Sequence, residues 1–123
     1  MEPKMTTTEE RSGVTVVRVH SNKLYQQAVQ IFRAELLGLI DQGHTTLVVD
    51  LSEVAVMNSS ALGVIILAYD RLKKEGGGLT LSGLSPILEE LFQRMHLNDL
   101  FPVVKSMEEG VRLFAGPKNI PAK

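Results

Sequence analysis

Apolar residues change their spacing several times along the chain, and each change marks an expected element. Thr6 to Glu10 and Val14 to Val19 have the composition of two short strands turned about Ser12-Gly13, the second carrying Val14, Val16, Val17 and Val19 as β-branched surface. From Leu24 to Asp41 the apolar positions Leu24, Ala28, Ile31, Leu36, Leu39 and Ile40 recur mostly every third or fourth residue, which predicts a helix. Gly43 stands where its C-terminal cap belongs. Thr45 to Leu51, TTLVVDL, is nearly unbroken apolar β sequence, as expected of a strand covered on both faces. Helical spacing returns over Ser60 to Lys74 with Leu62, Ile65, Ile66, Tyr69 and Leu72. Basic residues in its last turn complement the helix dipole, and the glycines at 76 to 78 end it.

Leu79 to Leu84 predicts another strand. Pro86 opens a helix through Met95 behind a Ser85 cap, Phe101 to Val104 reads as a last short strand, and Ser106 to Phe114 as a final helix whose SMEE start is a capping-box pattern. Met57 and Met95 are expected as core filler, and Phe92, Leu97, Leu100 and Phe101 as the residues that tie the fourth helix to the sheet. Strands alternating with helices predict an α/β fold, a mixed and mostly parallel sheet of about four to five strands with about four helices. Residues 1 to 123 read as one domain without repeat or linker, with 1 to 5 and 116 to 123 as frayed tails.

Composition narrows the chemistry. A chain of 123 residues can bury roughly two thirds of its unfolded surface. It has no cysteine, which excludes thiol catalysis and thiolate metal sites and agrees with a reducing cytoplasm. The formal net charge of -1 provides no overall field to attract nucleic acid or an anionic membrane. The amino terminus, MEPKMTTTEERSG, is polar and acidic where a secretory signal carries an apolar core. The longest apolar run, ALGVIILA at 61 to 68, falls well short of the roughly 20 residues a membrane span needs, so direct membrane insertion is not expected.

The join between the predicted central strand and the helix after it, Met57-Asn58-Ser59-Ser60, is where chemistry is expected. Open α/β sheets place functional groups beyond the carboxyl ends of their strands. Asn and Ser are favoured helix N-caps, so one reading of this stretch is a cap and nothing more. The other is a phosphoacceptor: helix N–H groups and the positive end of the dipole would hold a phosphate, which adds roughly −1.5 to −2 charges at neutral pH. Such a charge changes binding more than fold.

The run DLSEVAVMNSSALGVIILAYDRLKKEGGGLTLSGLSPILEELFQRMHLNDLF resembles the STAS domain, specifically the bacterial anti-sigma factor antagonists. That family reads DLS, a few apolar positions, MDSSGLG or MDSAGLG, a helix, a Gly-rich turn, a strand before Ser-Pro, and a helix leading to LF. The resemblance covers Thr45 to Phe114 and implies the STAS fold and a partner-switching protein that is not an enzyme and needs no cofactor or metal. It implies binding to an anti-sigma factor of the histidine-kinase-like ATPase type, a serine kinase that phosphorylates the antagonist, and reversal by a metal-dependent serine phosphatase. Carried over by position, the phosphorylated serine is Ser59, with Ser60 as cap or neighbouring polar contact, Leu62 in the core and Gly63 allowing close approach. The docking edge comprises Tyr25, Asn58, Ser59, Ser60, Leu62 and Gly63. Asn58 and Tyr25 stand where the family usually has Asp, which leaves open a non-phosphorylated STAS scaffold, for instance a subunit of a signalling or lipid-transport complex. A homodimer, and a nucleotide or anion ligand, are further alternatives.

Other chemistries fit the sequence poorly. Ser59 with Asp50 and a histidine would make a hydrolase triad only with a GxSxG elbow, which is missing. His20, His44 and His96 are scattered, as surface or capping histidines are, rather than spaced as metal ligands. The glycines at 76 to 78 follow a helix and open a strand, the reverse of a phosphate-binding loop.

Overall fold

The valine-rich run after the first turn forms the second strand of a sheet whose two faces are both covered. The computed structural model describes residues 5–115. In chain order its elements are β1 (Thr6–Arg11), β2 (Val14–Val19), β3 (Lys23–Leu24), α1 (Gln27–Asp41), β4 (Thr46–Asp50), β5 (Val56–Met57), α2 (Ser59–Lys74), β6 (Gly78–Ser82), α3 (Pro86–Arg94), a 3-10 turn at Leu97–Asp99, β7 (Val103–Val104) and α4 (Met107–Ala115). Five strands make one sheet in the order β1-β2-β4-β6-β7, with β1 antiparallel to β2 and the others parallel. This is the mixed α/β sheet that the alternation of elements predicts.

Cross-strand register decides what each face buries. Val17, Val49 and Leu81 form one row, packed under α1, α2 and α3 with Phe32, Leu36, Leu62, Ile65, Leu88 and Phe92. Val16, Val48 and Thr80 form the neighbouring row on the opposite face, where Val14, Val16 and Val48 meet Met107 and Val111 of α4. Successive strand residues point to opposite faces, so β4 is buried on both, as its unbroken apolar sequence implies. Gly110 permits this second layer: a Cβ there would lie 2.7 Å from a Val48 methyl.

Several expectations need correction. Helix α1 starts at Gln27, not Leu24, because Leu24 is fully buried as a strand residue paired with Met57 and Gln26 breaks the helix at φ 55. Its buried stripe is Val29, Phe32, Leu36 and Ile40, while Ile31 is exposed. On α2, Ile66 is exposed, and Ala61, Val64 and Ala68 complete the inner face. Met95 and Leu100 are exposed instead of buried. Helix α4 is tied down by Met107 and Val111, whereas Phe92, Leu97 and Phe101 join the other core, with the Phe101 ring centroid 5.3 Å from that of Tyr69. Residues 1–4 and 116–123, expected to fray, lie outside the described residues; Met5 is held by its N–H donating to Glu35 and its carbonyl accepting from His20. Among the described residues no helix is long and apolar enough to cross a membrane.

Candidate functional site

Two short strands missing from the sequence reading organise the site. Strand β3 pairs with β5 in parallel, Lys23 with Val56 and Leu24 with Met57. The Asn22 carbonyl accepts from the N–H groups of Ala55 at 2.8 Å and Val56 at 3.3 Å, and the Leu24 carbonyl accepts from Asn58 N–H at 3.2 Å. The segment that leads into α1 is thereby fastened to the start of α2, so Tyr25 and Asn58 lie on one edge. Gln26 has φ 55 and ψ -129, and Ala28 N–H donates to the Tyr25 carbonyl across it. That is a turn whose first central position favours glycine, and holding glutamine there costs about 1–3 kcal/mol.

Asn58 is the helix cap. Its backbone is extended, its Oδ1 accepts from Ala61 N–H at 3.0 Å, and its carbonyl accepts from Leu62 N–H at 3.2 Å. Of the two roles expected for Ser60, cap or neighbouring polar contact, the cap belongs to Asn58, which occupies the half-in position. Ser59 and Ser60 are the first two helical residues, both exposed, and among the described residues neither hydroxyl has a hydrogen-bond partner. No acidic residue lies in the first turn, while Arg71, Lys73 and Lys74 sit in the last, so the amino end keeps its positive potential.

The remaining expected residues separate by burial. Leu62 is 5% exposed and belongs to the core, so it supports α2 rather than presenting a contact surface. Gly63 is exposed with nothing within 4 Å of the place a Cβ would take; no close approach among the described residues uses it. Ser59, Gly63, Ile66 and Asp70 share the outward face at helical spacing, all exposed. Val56, exposed beside them on β5, was missed, since two strand residues leave no period to read.

The arrangement does not assemble a nucleophile with a base. His20 meets Thr7 and Glu53, His44 meets Thr15 and Glu10, and His96 lies near Asp99, so none of the three is bonded to Ser59. Among the described residues no group of three or more His, Cys, Asp or Glu is placed to hold a metal ion. A groove of about 610 Å³ runs between β1 and α1, lined by Thr8, Glu35, Gln42 and His44 among others, and includes none of the residues around Ser59. What the site offers is an exposed primary hydroxyl at a helix amino terminus, flanked by apolar and small surface.

The fold that carries this site is a known one. Residues 5–110 match the STAS domain family, and the chain belongs to that family. Among its relatives, the anti-sigma-B factor antagonist of Bacillus subtilis (strain 168) is 35% identical over 82 residues, which span 67% of this chain and 74% of that protein. The crystal structure of an anti-sigma factor antagonist from Mycobacterium paratuberculosis superposes with a TM-score of 0.80 at 23% identity, covering 89% of this chain and 92% of the other. The Bacillus cell fate determinant SpoIIAA in its phosphorylated form gives a TM-score of 0.67 at 24% identity, covering 88% and 97%. These two structures share the fold with this chain.

Proposed function

We propose that this chain is an anti-sigma factor antagonist that works by partner switching, with Ser59 as the phosphorylated residue. In its unmodified form it binds an anti-sigma factor of the histidine-kinase-like ATPase type and so releases a sigma factor. That ATPase phosphorylates Ser59, and a metal-dependent serine phosphatase restores it. The carrying observation is the Ser59 hydroxyl, exposed and without a hydrogen-bond partner among the described residues, at the start of α2 on the edge that β3 and β5 build. The relative from Bacillus subtilis, named an anti-sigma-B factor antagonist, supports the partner class, and a phosphorylated form of a protein with this fold supports the modification. The setting is the bacterial cytoplasm, where such an ATPase and its ATP are found.

The physical basis is a change of charge on a docking face. A phosphate on Ser59 would be stabilised by the helix amides and dipole while adding negative charge beside Val56, Gly63 and Ile66. A partner docking there by apolar contact would have to desolvate that charge, and each 1.4 kcal/mol lost is about tenfold in affinity. Asn58 in place of the usual Asp still closes the helix, while the loss of that carboxylate is what keeps a non-phosphorylated scaffold open as the second reading. The Asn58 Oδ1 performs the capping, and the missing carboxylate leaves the helix end better able to accept a phosphate.

Affinity capture from native lysate with wild-type, Ser59→Ala and Ser59→Asp baits tests the proposal. An ATPase retained by wild type and Ala but lost with Asp is the expected result. The same partner on all three would instead support a non-phosphorylated scaffold, the reading that Asn58 and Tyr25 in place of Asp keep open.

A further inference from the structure

The buried carboxylate of Asp50 takes no part in the docking just described, yet its hydrogen bonds lead toward it. Asp50 ends β4 at 8% exposure. Its Oδ1 accepts from Ser52 N–H at 3.2 Å and from Ser82 Oγ at 3.3 Å, and its Oδ2 accepts from Ser52 Oγ at 3.2 Å. Arg18 stands 3.9 Å from Oδ2 and is shared with Glu9, whose carboxyl is held below its ordinary value by the Arg11 hydrogen bond. Gly83, at φ +74, closes the other side: a Cβ there would lie 2.6 Å from Asp50 Oδ1.

A carboxylate is costly to bury unless donors replace its water. Here two of the three hydrogen bonds come from Ser52, so the group the carboxylate restrains is the turn of residues 51–55 that links β4 to β5. Val54 N–H closes that turn onto the Leu51 carbonyl at 2.9 Å, and Leu51 N–H fixes it to the Ser82 carbonyl at 2.9 Å. Beyond it come the amides of Ala55 and Val56 on Asn22, the amide of Asn58 on Leu24, and then Ser59.

We propose that Asp50 is a positioning residue for Ser59. By holding Ser52 against Ser82 it sets the turn, and through the turn it sets the β3–β5 pair and the first residues of α2 in the geometry a partner reads. This rests on the reading of Ser59 as the regulated serine.

Native-state hydrogen exchange on the full chain, read residue by residue by NMR, tests it with Asp50→Ala, Asp50→Asn and Ser52→Ala beside wild type. Asp50→Ala should speed exchange at Ala55, Val56 and Asn58 by about tenfold or more beyond any change at Leu47 to Val49, the mark of a local opening. Asp50→Asn keeps an acceptor for Ser52 N–H and Ser82 Oγ and should restore protection. Ser52→Ala leaves the core intact and should reproduce the local pattern even where Asp50→Ala fails to fold. Affinity for the ATPase captured with wild type should fall about tenfold in Asp50→Ala and recover in Asp50→Asn. Uniform acceleration over the sheet, unchanged exchange at those three amides, or local opening with unchanged affinity would each overturn the proposal. A captured partner indifferent to Ser59 would remove the reading beneath it and leave the exchange pattern as it was, so the two failures are distinguishable.

Discussion

Asn58 and Ser59 divide the work of the join between them, one closing the helix and the other left free. Because Asn58 Oδ1 supplies the acceptor for Ala61 N–H, Asn58→Ala should lower stability by about 1 kcal/mol. Asn58→Asp should keep the cap and match or exceed wild type, since a negative charge is favourable at a helix amino terminus by about 0.3–1 kcal/mol. Urea unfolding of the two variants checks both. A serine that were only a cap would have its hydroxyl on a backbone amide; the hydroxyls of Ser59 and Ser60 have no such partner among the described residues. The place of Ser59 at a helix start is legible in the sequence because α2 after it carries a strong period, whereas β5 directly before it has only two residues and stands between it and the central strand β4. Which residue of the stretch caps was not legible, as Asn and Ser are nearly equal in that role.

At the scale of elements, the long periodic segments were readable and the two-residue strands were not. β2, β4 and α2 declare themselves through β-branched runs or three- and four-residue spacing, and the structure places them within a residue of the expected bounds. β3 and β5 have two residues each and owe their existence to tertiary pairing, so the spacing places Leu24 in the helix it only precedes. Helix α4 shows the same limit: its amphipathic pattern marks a helix but not the sheet face it covers. Beneath it Thr80 is fully buried, and among the described residues its hydroxyl has no hydrogen-bond partner. An unpaired buried hydroxyl costs about 1–3 kcal/mol, so Thr80→Val, nearly the same shape, should stabilise the protein by about 1 kcal/mol or more. The expected observation is a higher urea midpoint with an unchanged slope.

Across the molecule, one topological fact gathers the candidate site. β2, β4 and β6 run parallel, so their carboxyl ends, the turn 51–55, Tyr25 and the amino ends of α2 and α3 emerge at one edge of the sheet. The opposite edge carries the helix carboxyl ends, with Gly43 and Gly76 at positive φ and the basic end of α2. A phosphate placed on the exposed Ser59 hydroxyl would meet helix amides at the first edge and stand on the solvent side of the buried Ala61 and Leu62. This is why modification is expected to alter binding without unfolding the chain.

The central claim concerns one atom, the Ser59 Oγ. Incubating the full chain with the captured ATPase and ATP, then locating phosphate by tandem mass spectrometry, tests it most directly. A single phosphate on Ser59, absent from Ser59→Ala, is predicted. Phosphate on Ser60 or elsewhere, or none while the ATPase binds the chain, would contradict the account.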